Sequence, residues 1–418
     1  VLVAVATAVP AAEPVTAIRA GAVFDPTTGR FARDQVVVVE GQVIRAVGPA
    51  GSVAIPGGAK VVDLSRQWLL PGLIDAHTHL TLTEITNGPF ESFYLTESTA
   101  ARALRGLANA QDMLRSGFTT VRDIGNEAEY AMVDVGRAIE AGRFQGPTVI
   151  AAGKIIAPFG GQSHDMPRER GPLWQYEYLD ADTPDEVRKA IRRNIYYGSR
   201  VVKLVTDNNP YHSSLEELKA AVDEAHHAGL PVAVHTYGGE AADNAIEAGV
   251  DSIEHGFYLT DAQLSRMKAK GIFLCSTDFP RAHLDVIGTS GGILPPPAEL
   301  APKIVDRLKR AQKIGVRLVF GSDTVMDVPG RTRGDLVLDY VAVWREAGVP
   351  PATLLKAMTS EAAELLRIGD RRGRIAVGLQ ADLVALPINP LEDTEALRRV
   401  SFVMKDGRVV RDDGPAPH

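Results

Sequence analysis

Residues 69–80, LLPGLIDAHTHL, decide how this chain is read. An apolar run from Leu69 to Ala76 leads straight into Asp75-Ala76-His77-Thr78-His79, so a buried strand ends in polar side chains able to bind a metal. Alternate residues of a strand share a face, which lets His77 and His79 present two imidazoles to one ion. Seven more short apolar runs follow: Thr119 to Asp123, Thr148 to Ala152, Val201 to Val205, Pro231 to Val234, Ser252 to Glu254, Ile272 to Ser276 and Arg317 to Phe320. The gaps carry amphipathic helical patterns, Thr99 to Ser116, Pro184 to Tyr197, Leu215 to Ala228, Gly239 to Ala248, Asp261 to Lys270 and Pro302 to Ile314, many ending at glycine. Eight runs alternating with helices predict an α/β fold, a (β/α)8 TIM barrel spanning residues 70–367.

Outside the barrel the pattern changes. Residues 15–69 read as short strands, with Val36 to Glu40 and Val43 to Val47 flanking a turn at Gly41, and strand patterns return in Gly373 to Pro387 and Ser401 to Arg411. The two ends, 15–69 and 368–418, are expected to build one β-sandwich subdomain together. Residues 1–14, VLVAVATAVPAAEP, carry no charge until Glu13 and are expected to be a signal-peptide remnant, giving a periplasmic or secreted protein, with a cytoplasmic one as the alternative. No other segment approaches the roughly 18 apolar residues of a membrane span. With 45 Lys and Arg against 52 Asp and Glu, the net charge of −7 excludes a general nucleic-acid binder, which needs a clustered basic excess. The single cysteine, Cys275, excludes an intramolecular disulfide and a multi-cysteine zinc site and reads as core packing. Any metal must be held by His, by carboxylate or by a group made from such side chains.

In a barrel of this kind reacting groups sit at the C-terminal ends of the strands. The fifth run ends in His235, the sixth in Glu254-His255 and the eighth in Gly321-Ser322-Asp323. Four histidines and one aspartate at equivalent ends point to a two-metal hydrolytic site, in which the metals lower the pKa of a bridging water and Asp323 moves its proton to the leaving group. Glu254, alternating with His255, is expected on the opposite face and remote from the chemistry. Lys203 lies inside the fourth run, where an unpaired ammonium costs several kcal/mol. Either a barrel carboxylate such as Asp123 neutralises it, or its neutral amine adds carbon dioxide to form an anionic carbamate that bridges the metals. His212 and His283 lie beyond strand ends and are candidate substrate contacts, as is Tyr237, two residues after His235. Three long connections, Thr81 to Ser98, Ala157 to Asp182 and Thr277 to Glu299, carry Phe90, Phe93, Tyr94, Phe159, Trp174, Tyr176, Tyr178 and Phe279, and are expected to wall or cover the pocket.

The segments LLPGLIDAHTHL, GFTTVRDIG, VVKLVTD, LPVAVHTYGG, GVDSIEHG, FGSDT and GLQADLV together resemble the amidohydrolase superfamily, most of all its imidazolonepropionase-like and Xaa-Pro dipeptidase-like group with a carboxylated lysine. The resemblance implies a barrel flanked by a β-sandwich, His77, His79 and Asp323 on one metal, His235 and His255 on the other, and carboxylated Lys203 bridging both. It also implies that Tyr237 holds a substrate carboxylate. Gly160-Gly161-Gln162-Ser163-His164 departs from the family pattern, in which His directly follows the Gly pair, leaving open whether His164 substitutes as a substrate contact. The function expected is hydrolysis of an amide bond in a dipeptide or N-acyl amino acid, extending to ochratoxin-type amides, with two divalent ions, zinc by default. Phosphotriester or lactone hydrolysis and imidazolonepropionase-like cyclic amide hydrolysis are the alternatives. A homo-oligomer acting on a small-molecule or peptide substrate is expected, without nucleic acid or membrane insertion.

Overall fold

The computed structural model describes residues 13–83, 95–125, 128–163, 167–207, 211–288 and 294–414. Four strands open the chain: β1 (Val15–Asp25), β2 (Arg30–Glu40), β3 (Val43–Pro49) and β4 (Lys60–Pro71). A parallel series follows: β5 (Leu73–Thr78), β6 (Phe118–Asp123), β7 (Thr148–Ala151), β8 (Ile155–Ala157), β9 (Tyr178–Asp180), β10 (Val202–Val205), β11 (Val232–Thr236), β12 (Ser252–His255), β13 (Phe273–Cys275) and β14 (Arg317–Val319). β15 (Leu383–Leu386), β16 (Phe402–Lys405) and β17 (Arg408–Asp412) close the chain.

β7 and β8 are two halves of one barrel strand. The first half pairs with β6 and the second with β10, and Arg200 N donates to Ala151 O at 2.8 Å across the break. Ala76 N donates to Phe320 O at 2.9 Å and closes the ring between β5 and the end of β14. The eight expected strands are therefore present as a closed (β/α)8 barrel, with β9 added alongside β8. The apolar run from Leu69 spans two strands rather than one: Leu69 to Pro71 end β4 in the other sheet, and Gly72 passes the chain into the barrel. β9 falls within the expected loop 157–182, because three residues are too few to show a periodicity.

Helices α1 (Thr99–Arg115), α2 (Ala131–Glu140), α3 (Pro184–Tyr197), α4 (Leu215–His227), α5 (Gly239–Ala248), α6 (Asp261–Lys270), α7 (Arg281–Ile287) and α8 (Pro297–Ile314) join successive strands. Their starts follow from capping chemistry: Thr183 precedes Pro184 and accepts from Glu186 N, while Ser214 with Glu217 and Thr260 with Gln263 form reciprocal capping boxes. α7 lies inside the expected loop 277–299. Four shorter helices, α9 (Arg333–Val337), α10 (Val341–Glu346), α11 (Pro351–Ala357) and α12 (Ser360–Leu365), complete the barrel. The last sets Ala362, Ala363 and Leu365 in one apolar cluster with Ile74, Ala233, Cys275 and Val319, sealing the end opposite the site.

Strands from the two chain ends form one seven-stranded sheet in the order β17-β16-β15-β4-β1-β2-β3. It folds over on itself: Ile44 N donates to Leu379 O at 2.9 Å and Ala381 N to Gln42 O at 2.8 Å, which brings β3 back to the approach of β15. Ile18, Val37, Ile44, Leu64, Leu383, Phe402 and Met404 are buried inside the fold. The expected sandwich is this single rolled sheet. Among the described residues no helix is long and apolar enough to cross a membrane. The segment read as a signal-peptide remnant lies almost entirely outside the described residues.

Candidate active site

His77 lies in β5 with His79 just beyond it, Lys203 is within β10, His235 is in β11, His255 ends β12 and Asp323 follows β14 by four residues. All six line one cavity of about 140 Å³. Ring centroids lie 5.3 Å apart for His77 and His79, 5.0 Å for His77 and His255, and 4.4 Å for His235 and His255. Asp323 sits among them: Oδ1 is 3.2 Å from His79 Nε2 and 3.6 Å from His77 Nε2, and Oδ2 is 3.6 Å from His255 Nδ1. Its backbone N donates to His77 O at 2.8 Å, which fixes one strand end against the other.

The chain takes up this arrangement through unusual local backbone. His255, Thr277 and Asp323 have φ of 67°, 43° and 53°, a region that costs non-glycine residues about 1–3 kcal/mol and recurs at functional sites. Two glycines allow close approach. A Cβ on Gly321 would lie 2.5 Å from Cys275 Sγ and 2.6 Å from His77 Cβ, and one on Gly125 would lie 2.5 Å from His79 Nδ1. Asp75, fully buried below the site, accepts from His77 N at 3.1 Å and Ser322 N at 3.0 Å, and burial pushes its carboxyl up to about 7.

Burial, reinforced by the nearby Lys203, holds His77 well below the usual imidazole range, and burial with the neighbouring His235 and His77 does the same for His255. Both rings are therefore neutral, the state that ligates metal. Burial lowers the Lys203 ammonium to about 8, against the pull of Glu254 and Asp323. Asp123, the carboxylate considered for pairing with Lys203, accepts from Leu80 N at 2.8 Å.

Glu254 corrects the sequence reading. The left-handed backbone at His255 breaks the strand alternation, so both side chains face the barrel interior. Glu254 Oε2 lies 2.8 Å from His77 Nδ1, and Arg122 Nη2 donates to both carboxylate oxygens at 2.8 and 2.9 Å. Arg122 is a charged residue inside an apolar run, the same signal that singles out Lys203, yet sequence reasoning missed it. Asp207 was missed too: its Oδ2 accepts from Thr236 Oγ1 at 2.8 Å and Tyr237 N at 2.6 Å, and Oδ1 lies 3.2 Å from His235 Nε2. Burial would raise its carboxyl, but contact with His235 and these bonds hold it below the usual range. Thr277 Oγ1 lies 2.8 Å from His255 Nδ1. Gln162, which directly follows the Gly pair, has Nε2 3.4 Å from His235 Nε2 and accepts from the Tyr178 hydroxyl at 3.2 Å.

Tyr237 lines the cavity with its ring stacked on Phe257 at 5.1 Å and 4.8 Å from that of His235. His283 is turned elsewhere: its Nε2 lies 2.7 Å from Asp339 Oδ2, and it is not among the cavity-lining residues. His212 Nδ1 lies 3.3 Å from Thr206 O, also away from the lining. His164 lies outside the described residues, as do Phe90, Phe93 and Tyr94. Of the other loop aromatics, Tyr178 and Phe279 line the cavity, whereas Phe159 packs edge-on against Trp174. Leu82, Ile155, Phe257, Ile287, Leu294 and Val325 complete an apolar wall. Cys275 is buried in β13 and burial pushes its thiol far up, consistent with core packing.

The donor set fits a divalent cation. Ligand atoms of His77, His255 and Asp323 all lie within 4.8 Å of one another, and His77 Nε2 is buried without a hydrogen-bond partner. Neutral imidazole with carboxylate suits borderline ions such as zinc.

Residues 68–410 match the amidohydrolase family. An ochratoxinase of Aspergillus niger is 30% identical over 441 aligned residues, covering 96% of this chain and 88% of that protein. An imidazolonepropionase of Stenotrophomonas maltophilia is 25% identical across 92% of this chain and 93% of its own length. The crystal structure of a Xaa-Pro dipeptidase with methionine bound in its active site superposes with a TM-score of 0.82 at 28% identity, over 95% of this chain and all of that one. The chain belongs to the amidohydrolase family.

Proposed function

We propose that this protein hydrolyses the amide bond of a dipeptide or N-acyl amino acid, including aromatic amides of the ochratoxin type, at a pair of divalent ions. His77, His79 and Asp323 would hold one ion, His235 and His255 the other, and Lys203, as its carbamate, would bridge the two. The observation that carries the reading is the convergence of four imidazoles, Asp323 and the buried Lys203 on one apolar-walled cavity. Bound divalent ions supply Lewis acidity toward water and a carbonyl oxygen. The protein's own groups do the rest. Asp323, at the cavity edge with its side chain 13% exposed, takes the proton of the attacking water and delivers it to the leaving nitrogen. The Tyr237 phenol donates to the free carboxylate of the substrate. Phe257, Phe279, Ile287 and Val325 exclude water and receive an apolar group.

The ochratoxinase and dipeptidase relatives support an amide over other centres. The test is a panel run on metal-loaded protein: N-acyl amino acids and dipeptides, their C-terminal amides, phosphotriesters, lactones and a cyclic imidazolone. Turnover of the free acids, with the amides far slower, is the expected result. Equal activity on acid and amide, or preference for a phosphotriester or lactone, would move the substrate class away from that proposed.

A further inference from the structure

We propose that Arg122 and Glu254 form a buried positioning pair that sets the His77 imidazole with Nδ1 as donor and Nε2 facing the cavity. The proposal rests on the metal reading only for the identity of what Nε2 then holds. Both side chains are fully buried, at 0% exposure. One Glu254 oxygen takes His77 Nδ1 at 2.8 Å, and the other takes the Ser252 hydroxyl. Arg122 bonds both oxygens through Nη2, reaches Ser252 Oγ with Nη1 at 3.3 Å, and gives Nε to Ala76 O, one residue before His77. The guanidinium thus grips both the strand that carries the imidazole and the carboxylate that the imidazole faces. Glu254 already accepts from Arg122 through both oxygens and so faces the imidazole as an acceptor; the proton shared between them sits on His77 Nδ1, and a neutral ring then has its lone pair on Nε2. That nitrogen has no hydrogen-bond partner and is the one turned to Asp323, 3.6 Å away.

Stability does not account for the pair. A buried ion pair is commonly matched or bettered by apolar side chains of similar volume. A carboxylate behind a ligating histidine, by contrast, fixes its tautomer and orientation, and its loss typically costs about 10–100-fold in metal affinity.

The experiment compares wild type, Glu254→Gln and the double replacement Arg122→Met with Glu254→Leu, which leaves no unpaired buried charge. Two quantities are read: the 15N shifts of His77 in metal-free protein, and zinc affinity by competition with a chromophoric chelator. The expected result is a pure Nδ1–H tautomer in wild type and a mixed or inverted one in the folded variants. Zinc affinity in those variants falls 10–100-fold, while the double variant melts within a few degrees of wild type. An Nε2–H tautomer in wild type would overturn the proposal whatever the variants do. So would a folded double variant that keeps the Nδ1–H form and binds zinc within threefold of wild type. Because the tautomer is read without metal, failure of wild type to bind zinc would defeat the metal reading and leave the positioning claim to the nitrogen shifts.

Discussion

Gly125→Ala adds one methyl to the wall of the site and changes nothing else, because Gly125 does not use the left-handed backbone that alanine avoids. The new carbon would lie 2.5 Å from His79 Nδ1, closer still to Cε1, and 3.2 Å from Ile155 Cδ1. Ordinary contact begins near 3.4 Å, so the imidazole must retreat by about 1 Å. His79 has little room to do so, since its far nitrogen already lies 3.2 Å from Asp323 Oδ1. Overpacking of this kind costs about 1–3 kcal/mol, offset by about 0.4–1 kcal/mol from the stiffer unfolded chain, so the loss of stability is modest. The loss of activity is larger: misplacing a reacting group by about 1 Å costs on the order of 100-fold, equivalent to about 2.7 kcal/mol of barrier. Steady-state hydrolysis of an N-acyl amino acid, metal content by mass spectrometry and thermal unfolding would be measured together. A folded variant with full metal and kcat/KM within threefold of wild type would refute the view that the Gly125 approach sets the His79 position.

Asp323→Asn keeps the size of the side chain but not its basicity, and is expected to lower kcat by about 10²–10⁴-fold with little change in melting temperature; a loss under tenfold would remove Asp323 as the proton carrier. Tyr237→Phe keeps the stack on Phe257 and deletes only the hydroxyl, so kcat/KM for a free-acid substrate is expected to fall about 10–150-fold, the value of one charge-assisted hydrogen bond, with little change for the corresponding amide. Asp75, raised to about 7 by burial, keeps its proton in the folded chain between about pH 4 and 7, where the unfolded chain has lost it. The folded state therefore binds more protons, and stability falls as pH rises through that window, by up to about 4 kcal/mol. Asp75→Asn should flatten this slope in metal-free melts, and an unchanged slope would show that Asp75 does not titrate there.

The barrel and the cluster of imidazoles were legible because strand runs and their polar ends recur with the same spacing, and periodicity is what a sequence displays most directly. Glu254 was misjudged for a reason in the backbone: strict alternation predicts opposite faces for Glu254 and His255, and the positive φ at His255 cancels it. Arg122 and Asp207 could not be assigned because their partners lie 132 and 30 residues away, a separation that leaves no local pattern. The burial of His283 against Asp339 is of the same kind. The split of the Leu69 run between two sheets was hidden because the single residue between the two strands, Gly72, does not interrupt the apolar pattern.

The pairing of β4 with β15 sets an order of assembly. Leu69 faces Ala385 and Trp68 faces Leu386 across an antiparallel ladder, and Gly72 N, immediately before β5, donates to Asp382 O at 2.8 Å. During synthesis the strand leading into His77 is made about 300 residues before the segment that flanks it. Until residues 383–386 leave the ribosome, β4 lacks one ladder neighbour and presents an open apolar edge, the kind of surface that aggregates or recruits chaperones. Contacts so distant along the chain also slow folding. Completion of the ladder beside the first barrel strand should therefore wait until residues 383–386 have been made, and nascent chains stalled before residue 383 should remain protease-sensitive across that strand.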